Sequence, residues 1–412
     1  MSEINVKTKA GTVSGFCDPK FQNVAEEFVK NFEARGEIGA SVSLNVEGET
    51  LLDLWGGYSD PDTKTPWGKD TLSLVFSCTK AATALCAHRL IDKGKMDLDA
   101  KVSQYWPEFA QNGKQNVTVR MMLNHSAGLP AFREPIKEGG YYDWDYMIER
   151  LSAEAPFWDP GTRNGYHLMS FGWTVGELVR RVSGMSLGRY FKENFAEPLG
   201  LDYWIGLPEE HEERTARMLP YTPSAEDKPT DFMTNMMTKP ASIQHLCFLN
   251  SGNYQPNCRE AHAAEIGGAG GIANARALAG LFAPLANGGS LNGVTLLSSD
   301  HIAKMSTVSM ATMEDATLLI PTRFALGFMK SMDNRYRSSG ELETAIIGDK
   351  AFGHVGAGGS IGFADPECHL GFGYSMTQMG SGLMLNDRGQ MLVDTVYKIL
   401  GYRTNEPGHW VK

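Results

Sequence analysis

The spacing of apolar residues changes along the chain, and each change marks an element. Val24, Phe28 and Phe32 recur at i, i+4 and i+8 among charged residues and stop at Gly36, which predicts an amphipathic helix with a glycine end. Beyond it the period falls to two. Val42, Leu44 and Val46 alternate with Ser41, Ser43 and Asn45, Glu47-Gly48 gives a turn signal, and Leu52, Leu54 and Trp55 follow, which predicts an antiparallel hairpin. The far end mirrors this pattern: residues 324–329, 352–355, 360–364 and 369–376 are short strand-like runs, the last two meeting at Asp365-Pro366. A closing helix follows, burying Leu392 and Val396 with Ile399 or Leu400.

Between about residues 77 and 286 the spacing is mostly helical, broken by long loops bearing Gly, Pro and Tyr. Residues 175–182 run into Ser183-Gly184, and 275–285 into Asn287-Gly288-Gly289. Strands at both ends with helices between them predict an α/β (α+β) chain: a split sheet domain, residues 1–76 plus 287–412, interrupted by a mostly helical domain over 77–286. No internal repeat and no low-complexity tract complicates this reading.

Composition narrows the function classes. The 412 residues carry 38 Lys+Arg against 48 Asp+Glu, a net charge of −10, and 42% are hydrophobic. A chain of this length buries a full core, and without a clustered basic run it offers nothing to neutralise nucleic-acid phosphates. The start MSEINVKTKAG has no apolar leader and no stretch is apolar for the length of a bilayer, so the expectation is a cytosolic protein without a membrane partner. Cys17, Cys78, Cys86, Cys247, Cys258 and Cys368 are scattered with no C-x-x-C pair, and read as free, buried thiols.

Three clusters have the residue types for chemistry. In the first, the apolar run Leu74-Val75-Phe76 passes into Ser77-Cys78-Thr79-Lys80 and then into an alanine-rich helix, so Ser77 and Lys80 share one face of the first turn. An amine desolvated there can accept the serine proton if its pKa falls, and the free N–H groups of a helix start favour developing negative charge. The chain holds no other S-x-x-K. In the second, the turn-rich segment from Trp158-Asp159-Pro160-Gly161 to Tyr166-His167 delivers Tyr166 to a cavity wall. Its phenol serves as a base only where a cation such as Lys80 stabilises the phenolate. In the third, Gly353-His354-Val355-Gly356-Ala357-Gly358-Gly359-Ser360 sets glycines beside a strand, where backbone N–H groups can approach a ligand and His354 can point into the same cavity.

Taken together and in this order, Ser77-x-x-Lys80, Tyr166 and His354-x-Gly356 resemble the three active-site motifs of the serine β-lactamase and penicillin-binding-protein superfamily. Stretches between the motifs extend the likeness: Gly94-Lys95-Met96-Asp97-Leu98-Asp99, Leu123-Asn124-His125-Ser126-Ala127-Gly128-Leu129-Pro130 and Glu197-Pro198-Leu199-Gly200-Leu201. They are similar to class C β-lactamases and more so to family VIII carboxylesterases, and the resemblance runs from roughly residue 20 to 400. It implies a β-lactamase/transpeptidase-like fold with the site between its two parts. It also implies acylation of Ser77 with Lys80 and Tyr166 sharing the role of base, an oxyanion held by the N–H groups of Ser77 and Ala357, and a positioning role for His354 beside Gly356.

Two departures shape the expected substrate. The middle motif reads Tyr166-His167-Leu168 where class C enzymes have Y-x-N, and His354-Val355-Gly356 stands where a lactamase has K-T-G. Losing the amide and the permanent charge weakens recognition of anionic β-lactams and fits small neutral esters. The expectation is therefore a serine carboxylesterase without metal or cofactor, acting on a small-molecule ester, with self-association left open. Its alternatives are a β-lactamase or D-aminopeptidase/amidase, an acyltransferase, or a weakly catalytic structural relative.

Gly184-Met185-Ser186-Leu187-Gly188 and Gly358-Gly359-Ser360-Ile361-Gly362 both satisfy G-x-S-x-G, but neither has a strand before it and a helix after it. Ser186 reads as a helix cap and Ser360 as an inter-strand residue. No histidine pair has metal-ligand spacing, and His211-Glu212-Glu213 reads as a solvated face. The aromatic segment 141–146 and Met233, Met236 and Met237 are candidates for an acyl pocket.

Overall fold

The computed structural model describes residues 1–223, 227–339 and 343–412. Strands β1 (Ser2–Thr8), β2 (Gly11–Cys17), β3 (Gly39–Val46) and β4 (Glu49–Asp60) come from one end of the chain. Strands β5 (Phe352–Val355), β6 (Ile361–Asp365) and β7 (Leu370–Met376) come from the other. They join in one sheet in the order β1-β2-β4-β3-β7-β6-β5, each pair antiparallel, with the short strand Thr65–Pro66 added on β4. The seam between the two ends is β3 against β7, where Val42 faces Tyr374 and Leu44 faces Phe372.

Five helices matter for the site: α1 (Gln22–Ala34), α2 (Cys78–Asp92), α3 (Phe171–Ser183), α4 (Ala275–Ala286) and α5 (Asp387–Ile399). α1 and α5 pack together on one face of the sheet, and Tyr397 of α5 stacks on Phe363 of β6. α4 covers the other face over β3, β6 and β7. The alternation of β3 therefore separates two buried faces rather than core from water, and every residue of the strand is buried. Its polar face meets the start of α4, where Ser41 Oγ accepts the Ala275 N–H at 3.1 Å and lies 3.0 Å from Ser375 Oγ.

α4 can come this close because β7 is bare beneath it. A Cβ on Gly373 would stand 2.1 Å from the Ala275 carbonyl oxygen, and one on Gly371 2.6 Å from that of Ala279. Against β5 and α3 packs α2, buried from Cys78 to Leu90 except for Arg89 although it carries Thr79, Lys80, Thr83 and His88. The residues leading into α2 are held in a three-stranded antiparallel sheet, Ser73–Leu74 against Gly271–Ala273 against Tyr203–Ile205.

The helices and hairpins expected from periodicity form where the pattern places them, with one exception. Residues 324–329 are not a strand: Thr322–Phe324 pairs with Met310–Thr312, and the chain then turns at Gly327, whose φ of +84 is outside the strand region. All six cysteines are free, four of them buried. Among the described residues no helix is long and apolar enough to cross a membrane.

The contact between α4 and β7 leads to a direct test. The oxygen that a Gly373 Cβ would meet belongs to the backbone, so Gly373→Ala forces the helix off the sheet, and the expected cost is about 1–3 kcal/mol, read as a lower midpoint in urea unfolding.

Candidate active site

The site begins with a reversal of the chain. Val75 N donates to Gly271 O at 2.9 Å at the end of the small sheet, and two residues later Ser77 stands at the start of α2, its side chain not used as a cap. Between them Phe76 takes φ +43, a left-handed conformation that costs about 1–3 kcal/mol for such a residue and survives only where neighbours enforce it. Those neighbours are visible. Thr79 N returns to Phe76 O at 2.9 Å, Thr79 Oγ1 accepts the Gly271 N–H at 2.7 Å, and Ser360 Oγ donates to Val75 O at 3.1 Å. Gly356 is required at this point, since a Cβ there would lie 2.3 Å from the Val75 carbonyl oxygen. Ser360 is thus a buried fastener of the turn. Ser186 caps the helix Leu187–Phe191 and donates to Glu265 Oε1 at 2.7 Å, as its sequence context predicts.

Lys80 is fully buried, and its Nζ lies 3.0 Å from Ser77 Oγ. The same nitrogen donates to the carbonyls of Leu168, at 2.6 Å, and Gly268, at 2.7 Å. No carboxylate pairs with it among the described residues. Burial without an opposite charge pushes the Lys80 amine well below its usual range. A neutral amine has two N–H groups and one lone pair; the two carbonyls use the former, and the lone pair is left for the Ser77 hydroxyl.

Tyr166 lies over the pair, with Lys80 Nζ 4.7 Å from its ring centroid and its phenol near enough to Ser77 to feel its hydroxyl. Its phenol is pushed well above its usual range, by burial first, with the Ser77 hydroxyl only partly offsetting this. Burial favours the neutral form of both groups over a phenolate stabilised by a lysine cation.

Three buried histidines surround Tyr166. His125 and Phe324 contact its ring at 5.0 and 5.6 Å between centroids, Phe324 stacked, and His354 lies at 5.9 Å. His167 donates from Nδ1 to the Gly165 carbonyl at 2.7 Å and accepts the Leu129 N–H on Nε2 at 3.0 Å. Burial, with Lys80 as a smaller contributor, lowers His354 to about 3, and burial lowers His167 to about 4, so both are neutral at pH 7. The Tyr166 backbone N–H is held 3.0 Å from both oxygens of Asp315. Asp315 also accepts from Thr317 N and Leu318 N at 2.8 Å each and from Thr322 Oγ1 at 3.4 Å.

Ser77 and Tyr166 open onto a cavity of about 360 Å³ whose wall includes Phe76, Tyr141, Leu168, Val355 and Ala357. A smaller lobe of about 180 Å³, with Phe232, Met233 and Met236 in its wall, shares Ala357, Met379 and Leu383 with the first. No lysine or arginine lines either lobe among the described residues. Neither the Ser77 nor the Ala357 backbone N–H donates to a protein acceptor among the described residues.

The structure thus brings Ser77, Lys80, Tyr166 and Ala357 together, with Gly356 as the spacer that seats the turn. His354 is close but not in the wall. Val355 takes the place at the cavity expected of the histidine, whose ring lies behind Tyr166. Of the candidate pocket residues, Tyr141 lines the larger lobe and Met233 and Met236 the smaller, while Met237 is exposed. Sequence reasoning missed Asp315, Phe324 and the Gly268 carbonyl. The Gly268 carbonyl had a signal in the dense run Gly267-Gly268-Ala269-Gly270-Gly271, where a Cβ on neighbouring Gly172 would lie 2.2 Å from Gly268 N. Asp315 had none.

Comparison with known proteins gives the same picture at the level of the whole chain. Residues 21–394 match the β-lactamase family. The chain is 34% identical over 388 residues to the esterase/β-lactamase LipL of Mycobacterium tuberculosis, covering 91% of this chain and 85% of that protein. Its fold superposes on a family VIII carboxylesterase with a TM-score of 0.83 at 37% identity, covering 94% of this chain and 99% of the other. It superposes equally on a penicillin-binding-protein homologue from Caulobacter crescentus, TM-score 0.83 at 35% identity, covering 94% and 99%.

Asp315 offers the test specific to this geometry. Asp315→Ala leaves the Tyr166, Thr317 and Leu318 amides without acceptors in a dry interior, and the expected loss of stability is about 3 kcal/mol, read from urea unfolding. Asp315→Asn, which keeps an acceptor oxygen, is expected to lose less.

Proposed function

Because the chain belongs to the β-lactamase family, with the antiparallel sheet and flanking helices of the β-lactamase/transpeptidase-like fold, we propose that it is a serine hydrolase of small neutral carboxylic esters. The observation that carries this reading is the buried Lys80 amine, 3.0 Å from a serine oxygen that opens onto a cavity with no lysine or arginine in its wall among the described residues. The relatives described as esterases support it.

Ser77 Oγ attacks the ester carbonyl as its proton passes to the Lys80 lone pair. Negative charge develops on the carbonyl oxygen, and the Ser77 and Ala357 N–H groups, unused inside the protein, receive it. The C–O bond to the alcohol breaks as the proton returns to the leaving oxygen from Lys80 by way of the Tyr166 hydroxyl, which shares the cavity wall with Ser77. Water then attacks the acyl-serine, with the same groups acting in reverse. In this scheme Lys80 is the base and Tyr166 a neutral relay. Their directions of shift support that division over an equal sharing of the role.

The neutral ester follows from the charges around the cavity. An anionic substrate would leave its carboxylate unpaired against Val355, Leu168 and Tyr141, with His354 neutral and screened behind Tyr166. Turnover of a short-chain p-nitrophenyl ester beside a chromogenic cephalosporin is expected to favour the ester by at least about a hundredfold in kcat/KM, the scale on which an unpaired polar group in a dry site discriminates. A cephalosporin turned over as fast as the ester would replace this reading with that of a β-lactamase.

Two substitutions test the machinery. Ser77→Ala is expected to abolish ester turnover and labelling by a fluorophosphonate probe; retained labelling would move the nucleophile elsewhere. Lys80→Arg puts a permanent cation in place of the neutral amine and offers no lone pair, and is expected to be as inactive as Ser77→Ala. Since the Lys80 pKa is lowered, its basic form persists to lower pH, and the acid limb of kcat/KM is expected far below the ~10.4 of an ordinary lysine. That limb belongs to the Lys80–Tyr166 pair as a unit.

A further inference from the structure

Behind Tyr166 two imidazole nitrogens are left without partners, and the hydrogen bonds on the opposite sides of their rings decide which of them carries a proton. His125 Nδ1 accepts the His167 N–H at 3.1 Å, so that nitrogen has no hydrogen, and a neutral ring must carry its proton on Nε2. This Nε2–H is buried and donates to nothing among the described residues. His354 is the reverse. Its Nδ1 is 2.7 Å from the Val355 carbonyl oxygen, which can only accept, so Nδ1 carries the hydrogen and Nε2 is a bare lone pair, also buried and unpartnered.

One orphan is thus a donor and the other an acceptor, on two rings that flank the same tyrosine at 5.0 and 5.9 Å. A buried donor or acceptor with no partner is costly to desolvate, so a shared partner stabilises both. The two histidines also come from different parts of the fold: His125 from the loop that follows the short helix Val119–Leu123, His354 from β5. His125 is held with φ +65, a second sign that its ring is placed by its surroundings rather than by its own preference.

We propose that His125 Nε2–H donates through one bridging water to His354 Nε2, and that this link across the back of Tyr166 fixes the phenol against Ser77. A water there accepts from one imidazole and donates to the other, the polar pairing that keeps a buried water in place. His125 is accordingly a positioning residue. It moves no proton itself and touches no substrate. The consequence for turnover rests on the proposed hydrolase reading; the link itself does not.

The test reads tautomers directly in the full chain labelled with 15N-histidine, by long-range 1H–15N correlation. His125 is expected as the Nε2–H form and His354 as the Nδ1–H form, with the His354 Nε2 resonance displaced to the position of a hydrogen-bonded acceptor. His125→Asn keeps an acceptor near the Nδ1 position and removes the donor. It is expected to return the His354 resonance to the unbonded position and to lower kcat on a neutral ester roughly ten- to hundredfold with KM little changed, the effect of a misplaced catalytic group. His125→Gln, which can present an N–H near the Nε2 position, is expected to recover part of both. A His354 protonated on Nε2 in the wild type overturns the proposal, as does a His354 resonance identical in wild type and His125→Asn. Should Ser77→Ala leave ester turnover intact, the hydrolase reading fails while the tautomers still decide the link.

Discussion

A lysine amine with no carboxylate beside it among the described residues is the constraint that organises this protein. Lys80 is enclosed by two backbone carbonyls, a serine hydroxyl and an aromatic face, all of them neutral. Surroundings of that kind cannot support a cation, and each unit by which the amine's pKa falls corresponds to about 1.4 kcal/mol of lost preference for the charged state. The same dryness acts on its neighbours. His125, His167 and His354 are held neutral by burial, and Tyr166 keeps its proton. The Asp315 carboxylate behind the Tyr166 amide is taken up by backbone amides and a threonine, and burial pushes its carboxyl upward. Reactivity here comes from removing water and charge together.

Two of the groups that touch Lys80 are backbone carbonyls, those of Leu168 and Gly268. Missing Cβ atoms allow the chain to pack this closely: one on Gly172 would lie 2.2 Å from Gly268 N, and one on Gly356 2.3 Å from the Val75 carbonyl oxygen that precedes the serine turn. The left-handed Phe76 turn is the cost of aiming Ser77 out of a helix start into the cavity, and the fastening by Ser360 and Thr79 offsets it.

Much of this was legible in the residues themselves. The spacing of Ser77 and Lys80, the glycine-dense third cluster and the shift from period four to period two each has a local physical cause that a sequence displays. What was not legible depends on long-range packing. The alternation of Ser41 and Ser43 with apolar residues predicted a hairpin but not that a helix more than two hundred residues later covers the serines, and only the bare glycines of β7 hinted at it. Residues 324–329 read as a strand because apolar residues dominate there, and the one turn-forming glycine decided otherwise. The motif placed His354 in the cavity wall, but a β-strand sends successive side chains to opposite faces, and Val355 took the position. Asp315 left no trace because a single aspartate in a loop has no pattern until its hydrogen-bond donors are known.

The seam between β3 and β7 has a consequence for how the molecule comes into being. A ribosome would release the serine turn, α2 and Lys80 long before it makes the strands that complete the sheet beside them; Val75 and Ser360, which clasp each other, are 285 positions apart. Contacts of such separation close late and slowly. Until the last sixth of the chain emerges, the helices have no complete sheet to lie on and the strained turn has no fastener, so the emerging polypeptide carries an unassembled nucleophile and an exposed apolar edge that a chaperone is suited to cover.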